Sequence, residues 1–329
     1  MNRNYPPAQD RCASTTGTKH DFKGIPTKLA AHNFDDFDEF AASVAAADAN
    51  MIIQNPNQMR WSIDELAFRG CRIQVGRLGS GNIAEGSAPA NQSIIYLPMT
   101  KSVEYLANGN PATSNQPVIL KPKQEFCFAT KAEHDWCGLF IENSINCNAN
   151  QFNGVPIPEL ADRIWYIAKC VRAAAAATKV DNLSPLSQTI AERAADVATQ
   201  LLIEQSSKRR SNGPQRGRPA YTREDIVRDI RVLLHEHRAS PLHLAKIAER
   251  MNISQRTLRQ AFYDWYGVGP KRYFQLRQLQ EVHRALKRAC PDSSSVSNVL
   301  IEFNVFEFGR FASRYKAMFG ELPSQTLYH

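Results

Sequence analysis

Apolar positions return at helical spacing in two similar units between Leu244 and Phe319. In the first, LAKIAERMNISQRTLRQAF, Leu244, Ile247, Ala248 and Met251 share one helix face. Asn252 and Ile253 break the pattern, and Ser254 can cap the next helix by accepting a free amide of its first turn. That helix turns Leu258, Ala261 and Phe262 inward and Gln255, Arg256, Arg259 and Gln260 outward. The second unit, VSNVLIEFNVFEFGRFASRY, repeats the plan. Val299, Leu300 and Phe303 are apolar, Asn304 stands at the turn, and Phe311 and Tyr315 point inward. Gly269-Pro270 opens a connecting helix that runs to about Ala289. At ~1.5 Å per residue such a helix spans about 30 Å, close to the ~34 Å between successive major grooves on one side of a duplex.

From Met51 to Asn143 the pattern shortens to strands. Apolar or alternating runs cover Trp61 to Phe68, Cys71 to Leu78, Ser93 to Met99, Val103 to Leu106, Val118 to Leu120, Phe126 to Ala129 and Trp136 to Ile141. Gly79-Ser80-Gly81, Asn108-Gly109-Asn110-Pro111 and Lys121-Pro122-Lys123 read as the turns between them. Many short, evenly spaced strands predict a β-sandwich or small barrel. Before it, Phe34, Phe37, Phe40 and Val44 recur at three and four residues, which predicts an amphipathic helix packed on the barrel. After it, Pro158 to about Thr178 and Ser187 to Gln205 read as helices with small and aliphatic faces, suited to a dimer interface or to packing within one subunit.

The expected organisation is an arm without fixed structure over 1–22, a β domain over 23–150, a helical dimerisation segment over 151–205, a linker over 206–222 and an all-α domain over 223–329.

Charge sharpens this picture. From Ser206 onward there are 22 Lys and Arg against 11 Asp and Glu, leaving 18 against 21 of the totals of 40 and 32 for the rest. A basic tail behind a slightly acidic front assigns the polyanion contact to the tail. The start of the chain lacks an apolar targeting run, and Ala173 to Ala177 is too short to span a bilayer, so no membrane partner and a cytoplasmic location are expected. The seven cysteines form no Cys-x-x-Cys pair, which fits reduced thiols. Cys127, His134 and Cys137 match no common zinc spacing, and His235 and His237 diverge around a helix, so no metal or other cofactor is expected.

The tail resembles the AraC/XylS family of transcription regulators over roughly the last 90 residues. Ala248, Ser254, Arg256, Leu258 and Phe262 carry the resemblance in the first unit. Tyr266, Gly267, Pro270 and Tyr273 follow it, and Phe319, Gly320, Pro323 and Ser324 form the closing signature. The second unit departs from the family pattern. Leu300 replaces a small residue, and Asn304-Val305 replaces Gly-Phe. Asn tolerates positive φ, so the turn can persist. The resemblance implies a cupin-like sensing barrel in front, a homodimer, and RNA polymerase as a partner. The metal-binding His-x-His of catalytic cupins is absent.

The functional expectation is a sequence-specific regulator of double-stranded DNA, an activator answering to a small-molecule effector, and not an enzyme. Gln255, Arg256, Arg259, Gln260, Phe308, Arg310 and Ser313 are the candidate groove-facing residues. Arg can bridge guanine O6 and N7, Gln can pair with adenine, and Phe308 can cover a thymine methyl. Gly309 reads no base by side chain, and Arg314 and Lys316 meet phosphate or solvent. Trp61, Arg72, Tyr96, Tyr105 and Trp136 are candidates to line a pocket. Two other readings stay open: a ligand-independent repressor, and a barrel that processes a small molecule with the tail as its DNA anchor. Adjacent Glu133, His134 and Asp135 diverge and supply no catalytic cluster.

Overall fold

The structure is a computed structural model that describes residues 28–45, 49–68, 70–142, 158–178 and 244–328, with Thr189, Ile226, Asp229 and Ile230. The expected arm, the linker, the helix from Ser187 to Gln205 except Thr189, and the pair His235 and His237 lie outside the described residues.

Among the described residues nine antiparallel strands make the front half: β1 (Lys28–Phe34), β2 (Asn50–Phe68), β3 (Cys71–Ser87), β4 (Gln92–Pro98), β5 (Tyr105–Ala107), β6 (Asn110–Ala112), β7 (Val118–Leu120), β8 (Glu125–Thr130) and β9 (His134–Glu142). Helix α1 (Phe37–Ser43) follows β1. The long β2 and β3 run side by side, from Asn50 opposite Glu85 to Phe68 opposite Cys71. Each serves two sheets. The half of β3 from Cys71 to Leu78 pairs with β9, and the half from Asn82 to Ser87 pairs with β8. The two sheets face each other across a shared apolar interior and nearly close into a barrel.

Three expectations change here. Gly79-Ser80-Gly81 is not a turn but the middle of β3. A Cβ on Gly79 would lie 2.4 Å from the Gln58 carbonyl oxygen, and one on Gly81 2.6 Å from the Lys131 carbonyl carbon. These glycines let other backbone press against the strand where it passes from one sheet to the other. The run Trp61 to Phe68 is only the second half of β2. Phe34 ends β1, and the amphipathic helix begins later, at Phe37, because Asp36 caps it by accepting from the amides of Asp38 and Glu39. Asn108 and Gly109, both at positive φ, do form the expected tight turn, between β5 and β6.

The strands alternate between interior and exterior, and both exteriors are covered. On one, Ile73, Val75, Leu97 and Leu139 pack against Leu160, Ile164, Ile167 and Val171 of α2 (Pro158–Thr178). This stretch of the expected dimer segment therefore spends its apolar face inside the subunit. On the other exterior sit helices of the carboxyl-terminal half.

Inside the barrel His134 is almost fully buried. Its Nδ1 lies 2.9 Å from the Ala132 carbonyl oxygen. Burial outweighs the neighbouring acceptors and pushes its pKa down from 6.5 to about 4. The folded ring resists a proton that the unfolded chain accepts. Stability is therefore complete above pH 6.5 and falls as pH drops toward 4. Melting curves across that window should show wild type losing on the order of 3 kcal/mol more than His134→Gln. Parallel losses would contradict the assignment.

Candidate nucleic-acid interface

Six helices of the tail lie within the continuous described stretch 244–328: α3 (Leu244–Arg250), α4 (Gln255–Tyr266), α5 (Pro270–Arg288), α6 (Val296–Glu302), α7 (Phe308–Phe319) and α8 (Pro323–Tyr328). The first unit is α3 and α4. Asn252 takes φ 52° in the turn, and the Ser254 hydroxyl accepts from the Thr257 amide at 3.0 Å. Leu258, Ala261 and Phe262 are buried, while Gln255, Arg256, Arg259 and Gln260 are exposed. The second unit is α6 and α7. Asn304 takes φ 55°, so asparagine does stand in for glycine there. Leu300 is buried, and its carbonyl accepts from the Val305 amide at 2.9 Å.

The candidate readers are not all free in the unbound chain. The Gln260 amide donates to Asp264 at 2.8 Å, and the Ser313 hydroxyl donates to the Gly309 carbonyl at 3.0 Å. Arg310 pairs with Glu307 at 2.8 Å, but the two side chains are 71% and 65% exposed. Such a pair is weak enough for a phosphate or base edge to displace. Phe308 is exposed, and a Cβ at Gly309 would meet nothing within 4 Å, so the start of α7 leaves room for a close partner. Sequence reasoning missed Phe306, which is 72% exposed just before α7. Its available signal was an aromatic residue one position before the cap, which Glu307 holds without a side-chain bond.

Helix α5 joins the units in 19 residues, about 28 Å of rise. Its Pro270 start and its basic last turn, Lys287 and Arg288, suit a helix of this direction.

A helix-turn-helix domain model matches residues 247–328. The chain is 32% identical over 131 residues to the "XylDLEGF operon transcriptional activator 2" of Pseudomonas putida, a match that takes in 40% of this chain and 80% of that one. The chain belongs to the AraC/XylS family. A second relative of this AraC/XylS protein, the "Probable thc operon regulatory protein" of Rhodococcus erythropolis, is 33% identical over 102 residues, 31% of each chain. The chain thus spans only about a third of that relative. Among solved structures, a probable AraC family transcriptional regulator from Rhodopseudomonas palustris aligns with 26% identity and a TM-score of 0.29, over 32% of this chain and 95% of that one.

The AraC/XylS tail is tied to the barrel through α4 and α5. The Tyr266 and Tyr273 hydroxyls donate to the two oxygens of Glu85 on β3, at 3.0 and 2.8 Å. Arg284 donates to Asp38 at 2.8 Å, and to Asn50 and the Met51 carbonyl at 3.0 Å. Lys287 pairs with Asp36 at 2.7 Å. Burial alone would raise the Asp36 pKa; hydrogen bonds from His283, Lys287 and the Glu39 amide more than offset it and hold the carboxyl well below the usual range.

Of the five pocket candidates, Tyr96 and Trp136 line the barrel cavity. Trp61 is buried, with its indole N–H donating to Ser80. The Tyr105 hydroxyl donates to the Asp135 carbonyl, and Arg72 pairs with Glu65 at the surface. His134 points into the barrel, whereas Cys137 packs on its α2 side. No group of three or more His, Cys, Asp or Glu able to hold a metal occurs among the described residues.

Proposed function

We propose that this AraC/XylS regulator reads two successive major grooves on one face of double-stranded DNA, one with α4 and one with α7. The supporting observation is a pair of exposed basic helix faces, around Arg256 and Arg310, joined by the single helix α5. Gln255, Arg259 and Gln260 join Arg256 at the first groove; Phe308 and Ser313 join Arg310 at the second. Arg256 and Arg310 supply base readout, while neighbouring Arg314 and Lys316 hold phosphate.

Operon activators among its relatives favour activation, with RNA polymerase as the downstream partner. The barrel receives a small-molecule effector, and the segment over Ser187 to Gln205 joins two copies. The protein works in the cytoplasm, where its DNA lies, and is not an enzyme.

Genome-wide mapping of bound sites, followed by competition binding on the recovered site, tests this. Arg256→Ala and Arg310→Ala should each weaken specific binding by about 1–3 kcal/mol. Unaltered affinity in both would refute the assignment.

A further inference from the structure

The barrel holds a cavity of about 540 Å³, a volume that takes in open solvent at its mouth. Met51 and Ala84 form one wall. Tyr96, Phe128 and Trp136 form another. The Tyr96 and Phe128 rings stack at 4.2 Å and 15°, and Trp136 lies 6.0 Å from Tyr96 at 24°. Tyr96 and Phe128 therefore cover one another's faces, and the three rings give the cavity an aromatic, apolar wall.

The lining is as informative for what it lacks. No Lys, Arg, Asp or Glu contributes to it among the described residues. Its polar members are Asn82, His134 and the Tyr96 hydroxyl. The His134 ring is already engaged with Ala132, and its depressed pKa keeps it uncharged at neutral pH. The Asn82 Oδ1 accepts from the Thr130 hydroxyl at 3.3 Å. A carboxylate or ammonium group entering this space would lose its water and find no opposite charge, which costs several kcal/mol.

Resting on the effector reading above, we infer that the barrel binds an uncharged, largely apolar molecule and excludes carboxylates of the same shape. The apolar wall holds it by burial, and the polar lining can meet at most a hydroxyl or carbonyl.

Isothermal titration of the full chain near neutral pH with 2-naphthalenemethanol and with 2-naphthoate tests this, since the probes differ chiefly in charge. The alcohol should bind saturably, one per chain, and at least about tenfold more tightly than the carboxylate. Ala84→Phe, which fills the cavity, should abolish alcohol binding while leaving the far-ultraviolet dichroism unchanged. Should that variant fail to fold, Ala49→Phe at another lining position serves the same purpose. Equal or tighter naphthoate binding, no binding of either probe, or undiminished binding by a folded cavity-filling variant would each overturn the inference. DNA binding is scored separately on the same preparation. Alcohol binding by a chain that ignores DNA would sink the regulator reading and spare this one; DNA binding with no alcohol uptake would do the reverse.

Discussion

Replacing Phe262 by alanine is expected to destabilise the DNA-binding half by about 3–5 kcal/mol. Phe262 is fully buried, with ring centroids 5.4, 5.5 and 5.6 Å from Tyr266, Tyr273 and Phe274. It sits where α4 meets α5, so a void there loosens the first reading helix from its support. Tightly packed interiors cannot collapse freely around such a loss. Urea unfolding followed by tryptophan fluorescence, with Trp265 on the same helix, reports it. The midpoint should fall sharply in Phe262→Ala and much less in Phe262→Leu. Equal midpoints would show that this ring carries little of the packing.

Glu85→Ala should have the second large effect, and it should fall on the joint between the halves. Removing the carboxyl group leaves two buried tyrosine hydroxyls without the acceptor they share. Each stranded group costs about 1–3 kcal/mol, so the joint should weaken by roughly 2–5 kcal/mol. Glu85→Gln keeps one good acceptor and should lose less. Adding Tyr266→Phe and Tyr273→Phe to Glu85→Ala removes the stranded hydroxyls and should recover part of the loss. Hydrogen exchange of α4 and α5 in the intact chain reads the joint directly: faster exchange is expected in Glu85→Ala, and unchanged exchange would deny that this contact holds the halves together. The strand that carries Glu85 on its outer face carries Ala84 and Asn82 on the cavity side. An occupant of the barrel therefore has a one-residue path to the DNA-binding helices.

Local chemistry was legible in the sequence. Ser254 as a cap, Asn304 as a left-handed turn residue and Asn108-Gly109 as a hairpin turn are each decided within a few residues, and the structure contains all three. What depended on distant partners was not. Gly79-Ser80-Gly81 carries a turn signal, yet the glycines serve backbone approach from Gln58 and Lys131. The helix from Pro158 to Thr178 has a small-residue face that could have met another subunit; its partner is the sheet of its own. Glu85 is one acidic residue in a strand, and nothing nearby announces partners 181 and 188 positions away. The basic faces of α4 and α7 were readable because helical period alone separates Arg256 from Leu258 and Arg310 from Phe311. Phe306 escaped because no periodic pattern includes a residue standing just outside a helix.

Hydroxyl-radical footprinting on a recovered site asks whether one subunit bears two readers a groove apart. The account predicts two protected patches on one face of the duplex, about one helical turn apart. Arg256→Ala should weaken one and Arg310→Ala the other. A single patch, or one that both substitutions weaken alike, would contradict it.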